Sequence, residues 1–403
     1  DPANGGNKLG VHEMRLVAQG TTRFVMRHDR LSYDNHKNGA VAYHPYFLNK
    51  GKFLLLWRWP GNVCASYNQS REDGWVTLTG EAEEIEILVS DAAGNTSRLV
   101  VPITPQPPVA PPTELQAAGG QVTLDCVGND LLFTARFDAA ETETPVLLAD
   151  GTMIPFARIG RKTFRVRHVP ARAGGVSYSV THPRLALFEK TVHGYASGQS
   201  GRIEIPGLEV QVPDNAAYGR LFVEAGVNES PAGAHLPQVG ARYVLWPAMA
   251  PLNNPIRLAV TLPADAPAQG VQLYRKQGSR WRWVDSSRDG GKLVTYTKAL
   301  GEYTLLVDRT GPSLTNVLPA EGYRAQTRRP YVRATVSDPG STIARVEARC
   351  NGEWLLMAYD PEHARMEWAR DEELPPGENV ITLSATDEAG NTTTVTRRVV
   401  VPE

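Results

Sequence analysis

Cysteine is scarce in this chain, and what there is lies scattered. Cys64, Cys126 and Cys350 are the three cysteines among 403 residues, each in a different region. An odd, dispersed set makes neither a disulfide framework nor a group of metal ligands, and such residues serve as small buried hydrophobes. Long apolar runs are also missing. Phe53-Leu54-Leu55-Leu56-Trp57 is far short of the ~20 residues that a spanning helix needs. Charge of one sign is absent as well. The 42 basic and 43 acidic residues leave a net −1, which excludes a general electrostatic pull toward nucleic acid or anionic lipid. The basic clusters from Arg161-Lys162 through Arg165 and Arg167, and at Arg397-Arg398, are expected on solvated strand faces. Helical periodicity is nearly lacking, with a single helical turn expected between Pro361 and Arg370. No Gly-x-Ser-x-Gly elbow and no Gly-rich phosphate loop occurs.

What the chain does contain is a passage that occurs twice. Ile85-Glu86-Ile87-Leu88-Val89-Ser90-Asp91-Ala92-Ala93-Gly94-Asn95-Thr96 returns as Ile381-Thr382-Leu383-Ser384-Ala385-Thr386-Asp387-Glu388-Ala389-Gly390-Asn391-Thr392. Each copy alternates apolar residues with period two, the mark of a half-buried strand. Each then enters Asp-x-Ala-Gly-Asn-Thr, where the Asp can accept nearby backbone N–H groups and Gly-Asn supplies the positive φ of a tight turn. The passage resembles the last strands of bacterial immunoglobulin-like domains, which implies a role in holding, spacing or binding outside the cytoplasm.

Gly and Pro total 66, hydrophobic residues 41% and charged residues 21%, a folded and loop-rich composition. The length predicts three or four domains. The expected fold is all-β: tandem antiparallel β-sandwiches of immunoglobulin-like type. The first unit spans 1–104, with strands that include one from Trp75 to Leu78. Residues 105–113, with five prolines, read as a semi-rigid linker. A small β-domain follows at 114–185, too short for comfortable independence and expected to pack on a neighbour. The third unit covers 186–308 and the fourth 309–403. The chain opens Asp1-Pro2 without Met or signal peptide, so it is expected to be a mature or excised piece.

Two further resemblances bear on function. Gly198 to Gly201, Val212-Pro213-Asp214-Asn215-Ala216, Tyr243 to Pro247, Pro255-Ile256-Arg257-Leu258 and Leu300-Gly301-Glu302-Tyr303 make the third unit resemble the sandwich named after zona occludens proteins and netrin receptors. The self-cleaving His-Phe-Ser of some relatives is absent. Asn7 to Leu16, Tyr43-His44-Pro45-Tyr46-Phe47, Pro60-Gly61-Asn62 and Asp91 to Asn95 make the first unit resemble a domain that follows the catalytic module of lysostaphin (LytM)-type zinc peptidases. That resemblance implies a non-catalytic, C-terminal part of a secreted cell-wall metallopeptidase, with peptidoglycan or another envelope protein as partner. The family's zinc site needs His-x-x-x-Asp and His-x-His, and no His-x-His exists among the nine histidines. The nearest imitation, His28, Asp34, His36 and His44, has the wrong spacings. No catalytic residue, no cofactor, no nucleic acid and no transmembrane segment is therefore expected, in a periplasmic, outer-surface or extracellular setting. The alternative is an adhesin or carbohydrate-binding module with no peptidase parent.

Two sets of binding candidates remain. Trp57-Arg58-Trp59 and Trp281-Arg282-Trp283 place paired indoles on one strand face, where they can stack on sugars or pack into a core. The turns at Asp91, Asn95, Asp387 and Asn391 are similar to motifs of some bacterial adhesins, which implies Ca²⁺ between tandem domains. The companion acids are few, since Asp308 precedes the fourth unit but 105–113 contains none, and solvated turns are the favoured expectation.

Overall fold

The structure is a computed structural model that describes residues 11–29, 42–43, 53–59, 62–67, 72–79, 81–104, 119–370 and 372–403. The Pro-rich segment 105–113 and residues Asp34, His36 and His44 lie outside them. Among the described residues every regular element is a β-strand, apart from one 3₁₀ turn at Ala65–Tyr67. The expected helical turn at 361–370 is instead a hairpin. Met357–Asp360 pairs antiparallel with Arg365–Trp368, and Ala364 takes the left-handed φ of 50° that closes it. Alternation decides this: Met366 and Trp368 are both buried in the last core, which a period of two satisfies and a helix would split.

The first sheet has the order Thr21–Arg27, Glu13–Ala18, Glu83–Ser90, Thr96–Ile103. Met14, Leu16, Phe24, Met26 and Tyr67 form its core. The expected strand at Trp75 to Leu78 joins no ladder and runs as irregular chain.

A nine-stranded sheet dominates residues 119–307. Its order is Arg280–Val284, Val271–Gln277, Gly301–Val307, Gln238–Trp246, Arg220–Asn228, Glu189–Ala196, Gly174–Thr181, Val146–Ala149, Thr152–Pro155. It therefore runs across the 185/186 division. Two smaller sheets cover opposite faces of it. Gly120–Val127, Asp130–Phe137, Thr163–His168 and Ala157–Arg158 pack on one end through Phe133, Phe164, Tyr178 and Val192. A five-stranded sheet built on Gly201–Ile205, Leu208–Val212 and Ile256–Thr261 packs on the other through Val210, Leu258, Leu245 and Leu305. Arg220–Asn228 serves both cores. Leu221 and Val223 face one and Phe222 the other, as the alternation of a strand requires. Arg165 and Arg167 sit on the exposed face of Thr163–His168, opposite buried Phe164 and Val166.

The last unit is a two-sheet sandwich. One sheet orders Ser313–Leu318, Arg333–Ser337, Arg365–Trp368, Met357–Asp360. The other orders Tyr323–Arg324, Thr392–Val401, Gly377–Asp387, Ile343–Cys350, Glu353–Leu355. The opening strand breaks after Leu318, and its continuation Tyr323–Arg324 crosses over to pair parallel with the final strand. These are the ABED and GFC sheets of an immunoglobulin sandwich, closed on Val336, Trp368 and Leu383.

Candidate functional site

The two copies of the repeated hairpin have nearly the same geometry and different surroundings. Asp91 Oδ1 accepts the N–H groups of Ala93 and Asn95, both at 2.9 Å, and Oδ2 accepts Asn95 Nδ2 at 2.7 Å. Asp387 repeats this, with Oδ1 accepting Asn391 N–H at 2.7 Å and Oδ2 accepting Asn391 Nδ2 at 2.9 Å. Gly94 and Gly390 carry φ of 89° and 88°, the left-handed corner that each turn needs. The bond from Asn95, with the backbone donors behind it, holds the Asp91 carboxyl below its usual range. The first turn is partly solvated. The second is not: Asp387 is 1% exposed, because it lies against the chain that enters the last sandwich.

Trp281 and Trp283 lie on the outer face of the nine-stranded sheet. Trp281 is buried with Tyr274 and Leu306 beneath the segment carrying Ala232, Ala234 and Leu236, and its Nε1 donates to the Ala232 carbonyl at 3.0 Å. Trp283 is half-buried beside it. His28 is also structural. Its Nδ1 is 2.9 Å from Ser66 Oγ, and burial lowers its pKa.

Trp57 and Trp59 behave differently. They sit on irregular chain rather than on a strand, so no shared strand face aligns them. Their rings are 4.5 Å apart and inclined by 54°. Trp59 is 5% exposed and anchored by Leu55 and by Tyr218 from the large body. The sequence reading missed the third member, Trp75, whose ring lies 6.0 Å from that of Trp57. Trp75 is 55% exposed, unusual for an indole. Gly74 permits this approach: a Cβ there would fall 2.3 Å from the Leu56 carbonyl oxygen. Arg58 braces the same loop with its Nε 2.8 Å from Asp73 Oδ1.

The three indoles form one wall of a cleft of about 380 Å³. The opposite wall is the hairpin turn between Gly120–Val127 and Asp130–Phe137, with Val127, Gly128, Asp130 and Leu132, together with Arg167. Gly128 bears no side chain, and a Cβ there would sit 3.7 Å from both Trp57 and Trp75. At the rim, Arg167 Nη1 pairs with Asp130 Oδ2 at 3.2 Å, and the arginine is largely solvated. The Trp59 Nε1–H is buried with no acceptor among the described residues. Flat apolar faces beside a fixed ion pair suit a ligand that is apolar on its ring faces and hydroxylated at its edges. Among the described residues no helix is long and apolar enough to cross a membrane.

No protein-family model matches the chain, and no curated protein matches it. Solved structures give distant likenesses. One is a 1.5-MDa bacterial ice-binding adhesin, at 12% identity over 99% of this chain and 89% of that one, with a TM-score of 0.15. Another is Sidekick-1 immunoglobulin domains 1–5, at 12% identity over 97% and 92%, with a TM-score of 0.19. A third is the M60 catalytic domain with CBM51-1 and CBM51-2 of Clostridium perfringens ZmpB, at 10% identity over 73% and 40%, with a TM-score of 0.14. Scores this low carry no functional weight, and the fold class rests on the strand pairing itself.

Proposed function

We propose that the chain is a non-catalytic binding array of a bacterial envelope protein, and that the indole cleft holds a saccharide. The observation that carries this reading is Trp75, half in water beside Trp57 and facing a glycine floor. A pyranose ring laid on that face would bury its C–H surface and turn its hydroxyls toward Asp130 and Arg167. The setting is periplasmic, outer-surface or extracellular, and the parent is a cell-wall metallopeptidase, in line with the resemblance of the first unit. In that parent the array anchors or spaces the enzyme on its polymer.

The test is a titration of the whole chain with soluble peptidoglycan fragments, followed by tryptophan fluorescence. Saturable quenching that needs higher ligand concentrations in Trp75→Ala is the expected result. Absence of binding to peptidoglycan fragments and to neutral oligosaccharides, with capture of an envelope protein instead, would replace the saccharide with a protein partner. Chelator-sensitive peptidoglycan hydrolysis by these 403 residues would overturn the non-catalytic reading. A parent sequence with His-x-x-x-Asp and His-x-His supports the peptidase, and one with further immunoglobulin-like repeats supports an adhesin.

A further inference from the structure

Where the large body meets the last sandwich, three carboxylates converge from three separate stretches of chain. Asp308 precedes the opening strand, Asp338 lies in the loop after Arg333–Ser337, and Asp387 opens the repeated turn. One oxygen from each lies within 4.8 Å of the others. Oxygens bound to a common Ca²⁺ at about 2.3–2.6 Å can be no more than about 5 Å apart, so the trio fits one ion. Among the described residues, none of the three is in an ion pair with Lys, Arg or His.

Two observations independent of the clustering point to a missing ligand. Asp308 is fully buried, yet its Oδ2 accepts no hydrogen bond. A buried carboxylate oxygen without a donor is costly unless something positive sits against it. The hydroxyls around the trio are orphaned too. Ser341 Oγ, close to the Asp308 carboxylate, is buried and makes no well-aligned hydrogen bond. Tyr274 is fully buried with its phenol oxygen unpartnered, and it feels all three carboxylates. The remaining carboxylate valences are occupied in ways that fix the ligands in place. Asp308 Oδ1 accepts Thr310 N–H at 3.1 Å, and Asp338 Oδ1 accepts the N–H groups of Gly340 and Ser341 at 2.6 and 2.7 Å.

We propose that Asp308, Asp338 and Asp387 bind one Ca²⁺ ion that ties the last sandwich to the body before it. The donor set is all oxygen and lacks His and Cys, which selects a hard cation over zinc or copper. It comes from two irregular segments and the end of the strand Gly377–Asp387, which suits the variable geometry of Ca²⁺ better than the strict octahedron of Mg²⁺. Water and the adjoining hydroxyls complete the shell. The same junction carries direct bonds between the two bodies: Gln272 Nε2 to the Glu388 carbonyl at 3.0 Å, and His235 Nε2 with the Pro339 carbonyl at 3.0 Å. An ion here would act with these to hold the joint. A joint with the ion removed keeps three repelling carboxylates at its centre.

The experiment uses the whole chain stripped with a chelator. Tyrosine-excited Tb³⁺ luminescence that Ca²⁺ displaces, with a melting temperature that Ca²⁺ raises by mass action, is expected. Asp308→Asn and Asp338→Asn should each weaken Ca²⁺ binding by about tenfold or more. Asp91→Asn, in the copy of the turn that lacks the other two acids, should leave it unchanged. Absence of both Tb³⁺ luminescence and a Ca²⁺ effect in the unmodified chain would overturn the proposal without recourse to any variant. So would a Ca²⁺ effect that both variants retain, or that Asp91→Asn abolishes. Full replacement of Ca²⁺ by equimolar Mg²⁺ would overturn the choice of ion.

Discussion

A Cβ placed on Gly340 would lie 2.1 Å from Oδ2 of Asp308. The glycine is required there by space, since its φ is not left-handed, and the space it leaves is filled by the carboxylate. Gly340→Ala is therefore expected to push Asp308 out of the junction and to destabilise the last sandwich by about 1–3 kcal/mol, the usual cost of overpacking. A thermal melt of the variant, with and without Ca²⁺, measures both effects. An unchanged melt would mean that the loop yields freely.

The indoles of the cleft should separate into support and contact. Trp59→Ala empties a buried aromatic site and should cost about 3–5 kcal/mol of stability. Trp75→Ala removes an exposed ring, should change stability by no more than about 0.5 kcal/mol, and should weaken saccharide binding by about 0.5–1.5 kcal/mol. Denaturant unfolding and a fluorescence titration on the two variants check this. Equal loss of stability in both would make Trp75 a packing residue.

Acid should weaken the chain through its histidines. Burial lowers the pKa of His28, His168, His182 and His193 from the ordinary 6.5. A depressed base contributes stability above its unfolded pKa and loses it as pH falls through the folded value. Melting temperature should thus decline below about pH 6.5, the ordinary histidine value. His182 is the best probe. Its ring packs edge-on to Phe137 at 4.7 Å, and its Nε2 is buried without a hydrogen-bond partner. His182→Gln should flatten part of the decline. Asp308 and Asp338 work in the opposite sense. Burial raises both pKa values, so their strain is greatest at neutral pH and eases as they take up protons.

Phe222 is expected to couple two cores. Phe222→Ala should cost about 3–5 kcal/mol and reduce hydrogen-exchange protection at Leu147 in one core and at Leu245 in the other. Protection lost around Leu147 alone would show that the two halves open independently.

Much of the architecture was legible because it depends on local alternation. Ile85 to Val89 and Ile381 to Ala385 announced their strands, and Asp-x-Ala-Gly-Asn announced both turns, down to the glycine corner. The differences arose where partners come from far along the chain. Asp91 and Asp387 read alike in sequence, and only the arrival of Asp308 and Asp338 buries the second. Trp57-Arg58-Trp59 has the spacing of a strand, but Gly74 and the Arg58–Asp73 pair draw it into a loop against Trp75. The 361–370 segment carries charged residues that a helix also tolerates; the buried pair Met366 and Trp368, two positions apart, was the available signal for a hairpin.

The strand Arg220–Asn228, buried on both faces at Leu221, Phe222 and Val223, also limits how this chain can be rearranged. Domains joined only by a linker can be exchanged or lost one at a time during evolution. Here a crossover between residues 185 and 186 would strip Glu189–Ala196 of its neighbour Gly174–Thr181 and leave Phe222 facing water. A cut within 119–307 thus opens a shared core, whereas one at Asp308 parts two bodies that each keep their own.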